Sequence, residues 1–358
     1  MRLRLCGGRS YHWRSPHSQQ VYHFRRRAAG IEITDGRDWE WLTSGTSARF
    51  DEEPVLGERL LGGGVSGSFD AAPAQRLLVC RGRGLGDVLL LIPALREWRR
   101  RYPESTVGVT VDRGYRRLFS GLGVVDDALD FQEAYTAAPW DVVVNLNYYA
   151  ERSDDDTRLH RSEVFAHGLG LNTAGDLRLG YVVTDDDRAR VDNRLRRGQR
   201  PLVVAQTHTS TEARDPSPEK IQEVLGALQR AGYRVAALGL TPHPVPDGVV
   251  NLQGCGMTLP DAAALLETAD AVVGLDSGLT HLGNAVGANV IALFGPGEPA
   301  LRVGGQPRCR PLQVHRWGGC DTPCRDYWRQ QCKRRPRCLD EFPAELVVAA
   351  VGESLCQR

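Results

Sequence analysis

The sequence predicts an α/β protein of two successive domains, each a parallel sheet covered by helices on both faces. Three observations carry that prediction. Between residues 76 and 169, short apolar runs of buried-strand type alternate with segments of helical period. The alternation starts again at Pro201 and continues to Phe294. In each half one strand runs into a glycine- or hydroxyl-rich turn that opens a helix, the place where open parallel sheets take ligands. The 358 residues suffice for two such domains and a small appendage.

Composition sets limits. A formal net charge of +1 argues against a protein built wholly around nucleic acid, although charge can be local. No run approaches the roughly 20 apolar residues of a membrane span. Met1 to Gly7 lacks the apolar core of a secretory signal. A cytoplasmic protein is therefore expected, with peripheral membrane contact left open. Its nine cysteines are then expected as thiols or metal ligands rather than disulfides.

Residues 1–30 carry seven arginines and no acid, while 31–75 turn acidic around Asp51-Glu52-Glu53. Ile31-Glu32-Ile33-Thr34 alternates like a strand, Trp39, Trp41 and Leu42 offer a small core, and Gly62 to Ser68 reads as a linker. Residues 1–74 are either a small β-rich module or a disordered basic leader.

The first domain, 75–198, opens with the strand Arg76–Cys80. The turn Arg81-Gly82-Arg83-Gly84-Leu85-Gly86 follows, then a helix from Asp87 to Arg101 with Val88, Leu91, Ile92, Leu95 and Trp98 at helical spacing. Thr106–Val111 and Asp141–Leu146 are the next strands. Tyr115–Leu122, Arg158–Leu169 and Asp185–Arg197 read as helices. The second domain, 199–340, repeats the pattern. Pro201–Ala205 is a strand, Thr207 to Thr211 a hydroxyl-rich turn, and Ser217-Pro218-Glu219 a helix start with serine at the cap and proline first. Arg234–Gly239, Ala271–Val273 and Val290–Phe294 are strands, Pro260–Thr268 is a helix, and Leu282–Val286 opens another. Residues 341–358 form a closing helix.

Two turns carry chemistry. Gly274-Leu275-Asp276-Ser277-Gly278-Leu279-Thr280-His281 joins a buried strand to a helix, where free backbone N–H groups and the helix dipole favour an anion. The glycine turn before Asp87 invites a dinucleotide reading, and with it an oxidoreductase. Against that, Asp87 stands where the fingerprint has its third glycine, and a carboxylate there repels a pyrophosphate. Asp87 caps its helix on one reading. On the other it also takes a proton from an acceptor hydroxyl.

Gly86-Asp87-Val88-Leu89-Leu90-Leu91-Ile92-Pro93-Ala94-Leu95 with Arg101-Tyr102-Pro103 resembles the N-terminal motif of the heptosyltransferase family, glycosyltransferase family 9. Asp276 to His281, with Asn284-Ala285, Gly287 and Phe294-Gly295-Pro296, resembles its C-terminal donor motif. The two lie about 190 residues apart and in the family's order. The resemblance covers roughly residues 75–305. It implies a GT-B fold, two Rossmann-like domains facing across a cleft, and inverting transfer from a nucleotide-activated heptose or related sugar. Carried over, it makes Asp87 the general base beside the acceptor-side turn Arg83, Gly84, Leu85 and Gly86. It makes Asp276, Ser277, Gly278, Leu279, Thr280 and His281 donor contacts, with Thr207, Arg214, Gly239 and Gly295 around them. His281 is otherwise a packed core histidine. The closing helix is expected to pack back on the first domain. Two departures stand out. The family's Lys or Arg before Trp-Pro is replaced by Glu212-Ala213-Arg214-Asp215-Pro216, with Arg214 one place out of register. No acid follows Gly239 until Asp247.

Cys320, Cys324, Cys332 and Cys338 fall within the Cys-rich segment 309–338 and are able to hold a structural zinc or iron; catalysis requires no cofactor. Reduced thiols are the other reading. Arg325, Arg329, Lys333, Arg334, Arg335 and Arg337, interleaved with Tyr327 and Trp328, form a basic patch that would suit nucleic acid or a solvated face equally. The expected partners are a nucleotide-sugar donor and a saccharide or other hydroxyl acceptor, with nucleic acid not favoured.

Overall fold

The computed structural model describes residues 76–130, 133–134, 140, 142–147, 149–191, 195, 198–313 and 337–356, with four short strands nearer the N-terminus. The chain divides into two compact units, Met1–Leu177 and Arg178–Arg358.

In the first unit, β1 (Arg2–Leu3) pairs antiparallel with β4 (Ile31–Glu32), and β2 (Tyr11–Arg14) with β3 (Val21–Phe24). The acidic run, the tryptophans 39 and 41 and the glycine linker of the N-terminal 74 residues lie outside the described residues. The main sheet holds β5 (Arg76–Cys80), β6 (Thr106–Thr110), β7 (Asp127–Leu129) and β8 (Val142–Asn145), all parallel, in the order β7-β6-β5-β8. Helix α1 (Leu85–Arg101) follows β5 and buries Val88 to Leu95 and Trp98. Residues expected as a helix after β6 form a 3-10 turn instead, Arg113–Phe119. Helix α2 (Tyr149–Arg152), a 3-10 turn at Asp154–Thr157 and α3 (Arg161–Gly168) follow β8. The chain steps outward from β5 to β6 to β7 and returns to β8 on the other side of β5. Chain direction therefore switches between β5 and β8, and loops from the two strand ends part there and leave a crevice.

The second unit opens with α4 (Asp185–Arg190), capped by Thr184. Its sheet is six-stranded and parallel, in the order β11-β10-β9-β12-β13-β14. The strands are β9 (Leu202–Gln206), β10 (Arg234–Leu238), β11 (Val250–Asn251), β12 (Ala271–Leu275), β13 (Val290–Phe294) and β14 (Cys309–Gln313). Between them run α5 (Pro218–Arg230), α6 (Leu259–Thr268), α7 (Gly278–Ala285) and α8 (Ala300–Val303). The switch point is again between the first strand and the fourth, β9 and β12. Ser217 caps α5 as expected, its side chain accepting from the Lys220 N–H. Ile221, Val224, Leu225 and Leu228 of α5 pack into one core with Val347, Ala350 and Val351 of α9 (Ala344–Cys356). This corrects the expectation for the closing helix: its apolar face belongs to the second unit's own core. A second correction concerns α7. It begins at Gly278 rather than Leu282, so Gly278 to His281 form its first turn and only Asp276 and Ser277 remain as the connection.

Candidate functional site

The first unit's switch point is closed by polar contacts. Gly82 N–H donates to Asn147 Oδ1 (2.9 Å), and Asn147 Nδ2 to Asn145 Oδ1 (2.8 Å), tying the end of β5 to the end of β8. Gly84 is the N-cap of α1 at φ +83°, a conformation glycine adopts without strain. A Cβ there would lie 2.7 Å from Asp87 Oδ2, so the missing side chain also makes room for the carboxylate. Leu85 and Gly86 form the first turn of α1, and the Arg83 side chain is 71% exposed.

Asp87 is held from two directions. Arg81 Nη2 donates to Oδ2 (2.5 Å) and Arg161 Nη1 to Oδ1 (2.6 Å). Arg81 is braced by the Leu146 carbonyl (3.1 Å) and Arg161 by a fork onto Asp156 (3.0 and 2.8 Å). Burial alone would raise the Asp87 carboxyl, but the two guanidiniums outweigh it and hold it well below the usual carboxylate range. Tyr115 stands nearby on the Leu85 backbone, its phenol pushed up by burial and then by Asp112. Asp87 lies in the first turn of α1 with Oδ2 close to Gly84, so a phosphate at this turn would meet a carboxylate, which argues against the dinucleotide reading.

At the second switch point the charge is arranged the other way. Ser277 is the N-cap of α7, yet its side chain does not cap the helix and no acid lies in the first turn. Ser277 Oγ donates instead to Gln206 Oε1 (2.7 Å), which also accepts from Leu275 N–H (3.2 Å). Gln206 thereby ties the end of β9 to the end of β12. Arg214 Nη1 donates to the Asp276 carbonyl (2.6 Å), and Nη2 to Thr211 Oγ1 (3.0 Å) and Ser210 Oγ (3.3 Å). Among the described residues no carboxylate lies within ion-pair distance of this guanidinium. The Arg214 loop is itself anchored: Arg337 pairs with Glu212, and Asp340 Oδ1 accepts from Ser217 N–H (2.6 Å).

The structure thus gathers Arg214, Asp276, Ser277 and Gly278 at one place, with Leu279 in the same helical turn. The other expected donor residues have internal tasks. Thr280 donates to the Leu275 carbonyl (2.5 Å) and His281 is buried. Thr207 is buried and donates to Gln253 Oε1 (2.9 Å). Gly239 sits one strand away, where a Cβ would meet Thr207 Oγ1 at 2.5 Å and the His208 ring at 2.6 Å. Gly295 packs against Cys338, whose Sγ would lie 3.0 Å from a Cβ there. Sequence reasoning missed Arg161, Asp156, Gln206 and Asp340, and gave Arg337 only a place in the basic patch; all of them meet their partners only through the fold.

Cys320, Cys324, Cys332 and the basic patch apart from Arg337 lie outside the described residues. Among the described residues no three His, Cys, Asp or Glu side chains are grouped to hold a metal. Nor, among them, is any helix long and apolar enough to cross a membrane.

Two parallel-sheet units of like strand order, each with polar groups at its switch point, have the architecture of the GT-B fold. The family model described as glycosyltransferase family 9 (heptosyltransferase) matches residues 159–317. Lipopolysaccharide heptosyltransferase 1 of Salmonella typhimurium is 22% identical over 305 residues, 67% of this chain and 95% of that protein. A glycosyl transferase family 9 structure from Veillonella parvula superposes with TM-score 0.64 at 17% identity, covering 79% of this chain and 98% of that one. TibC of enterotoxigenic Escherichia coli, an iron-containing dodecameric glycosyltransferase, superposes with TM-score 0.61 at 19% identity, covering 79% and 77%. TibC is also solved in complex with ADP-D-β-D-heptose. Over residues 159–317 the chain is similar to glycosyltransferase family 9, and it is a heptosyltransferase-like enzyme.

Proposed function

We propose that the enzyme moves a heptose or closely related sugar from an ADP-activated donor to a saccharide hydroxyl, with inversion at the anomeric carbon. The observation that carries this reading is the N-terminus of α7: not capped by the Ser277 side chain, free of acid in its first turn, and flanked by the Arg214 cation. Backbone N–H groups, dipole and guanidinium together suit a diphosphate. The ADP-heptose seen bound to TibC supports the choice of donor. Asp87 is the general base in this reading. The acceptor oxygen gains positive charge as it bonds to the anomeric carbon, so its proton becomes strongly acidic and even a weak carboxylate base takes it. The leaving ADP is stabilised by the α7 N-terminus and Arg214.

The test is a panel of nucleotide-sugars read first by thermal shift and then by transfer. ADP-heptose is expected to raise Tm and to be consumed with an acceptor. A protein stabilised only by UDP- or GDP-sugars would overturn the donor assignment.

We propose further that Cys320, Cys324, Cys332 and Cys338 hold one structural zinc or iron. Four thiolates are a soft donor set suited to either metal, and TibC is iron-containing. Elemental analysis of purified protein is expected to give one equivalent, lost in Cys338→Ser.

A further inference from the structure

Arg161 occupies the first position of α3, with His160 as its N-cap. A cation there opposes the helix dipole, so α3 gains nothing from it. Its side chain is 10% exposed and engages two carboxylates at once. Nε and Nη2 fork onto Asp156, and Nη1 is left to reach Asp87 Oδ1. A planar guanidinium makes all three bonds in one geometry, which a lysine cannot. Arg81 holds the other oxygen, its own side chain resting over the Phe165 ring (5.7 Å to the centroid).

We propose that Arg161 is a positioning residue for sugar transfer: it fixes the Asp87 carboxylate in one orientation, and Asp156 in turn fixes Arg161. The inference rests on the reading of Asp87 as general base. Unheld, an aspartate in the first turn of a helix samples several rotamers. Held at both oxygens, it keeps one direction, and each oxygen retains a second lone pair for the acceptor hydroxyl. The groups facing Asp87 are Arg81 from the end of β5, Arg161 from α3 and Tyr115 from the 3-10 turn after β6. Asp156 acts only through Arg161. Two positive partners keep the carboxylate ionised throughout the working range, so the wild-type rate is expected to show no acid limb from this group.

The experiment compares wild type, Arg161→Gln, Arg161→Lys and Asp156→Asn in kcat, donor and acceptor KM, and kcat/KM from about pH 3.5 to 9, with circular dichroism confirming that each protein stays folded at the acid end. Arg161→Gln is expected to lower kcat roughly 10–100-fold, the range of a lost charge-assisted bond. It should also gain an acid limb, because the carboxyl rises towards or above its ordinary range of about 4. Donor KM stays within about twofold, since each unit carries its own site. Arg161→Lys, which keeps the charge, is expected to lose kcat without gaining the full acid limb, and Asp156→Asn to lose less than Arg161→Gln. The inference is overturned if Arg161→Gln runs parallel to wild type in pH, or if it raises only acceptor KM. Asp87→Ala is the control: normal turnover in that variant would remove the base itself, a separate failure.

Discussion

The two switch points share a plan and differ in charge. Each lies where the chain reverses direction across a parallel sheet, and each ends on the N-terminus of a helix. At α1 the helix end is filled by its own Asp87, which in turn is neutralised by Arg81 and Arg161. At α7 no acid lies in the first turn, and Arg214 beside it is held by a backbone carbonyl and hydroxyls. A site whose charges are already paired suits a neutral hydroxyl and a proton. A site where a guanidinium without an ion pair lies beside a helix N-terminus suits a polyanion. In the proposed reaction, acceptor chemistry then falls to the first unit and the donor phosphates to the second.

The largest effect that sharpens this contrast is expected at Asp87. Asp87→Asn should cut transfer by about 10²–10⁴-fold, the range of general-base catalysis, with donor affinity unchanged. Steady-state kinetics and donor titration separate the two. Near-normal turnover would break the comparison at its first term. Next comes Arg214. Loss of one charge-assisted contact to phosphate is expected to weaken donor binding roughly 10–100-fold in Arg214→Ala, with partial recovery in Arg214→Lys. An unchanged donor Kd would make Arg214 a structural residue of its loop. Third is Gly239→Ala, where the new methyl meets Thr207 and His208 inside van der Waals distance. Overpacking of that kind costs about 1–3 kcal/mol, readable as a lower denaturant midpoint with transfer chemistry intact.

How far the sequence led depended on the distance over which each signal acts. Helix α5 was legible because its cap, its first-turn proline and its apolar stripe are all local. Strand β13 matched its prediction residue for residue, being one unbroken apolar run. Strand β14 was missed because Arg310 and Pro311 interrupt any such run, and proline is tolerated there only because β14 is an edge strand. The start of α7 was placed late because Gly278 is a poor helix former and Ser277 uses its hydroxyl on Gln206 rather than on the helix. Asp87 was singled out by its turn alone. Arg161, 74 residues away, and Gln206, 71 residues from Ser277, carry no local mark; only the return of β8 beside β5 and of β12 beside β9 brings them in.

The smallest effect lies at the edge of the second site. His208 Nε2 accepts from Thr241 N–H (3.1 Å), and the ring stands 5.0 Å from His243. That bond needs the neutral imidazole. Burial, and then the neighbouring His243, lowers the His208 pKa, while Asp215 opposes the shift. A histidine whose folded pKa is depressed contributes its full stability above the unfolded value of about 6.5, and that stability is lost as pH falls from there through the folded value. Between about pH 7 and 5.5 the wild-type Tm is therefore expected to fall about 1–2 °C more than that of His208→Gln, whose amide accepts the same N–H without titrating. The second unit would then carry a mild acid sensitivity at the loop beyond β10, while the first unit's paired Asp87 stays ionised over the same range. Equal pH slopes in the two proteins would show that the loop is held by Gln253, which accepts from His243 N–H (3.1 Å), rather than by His208.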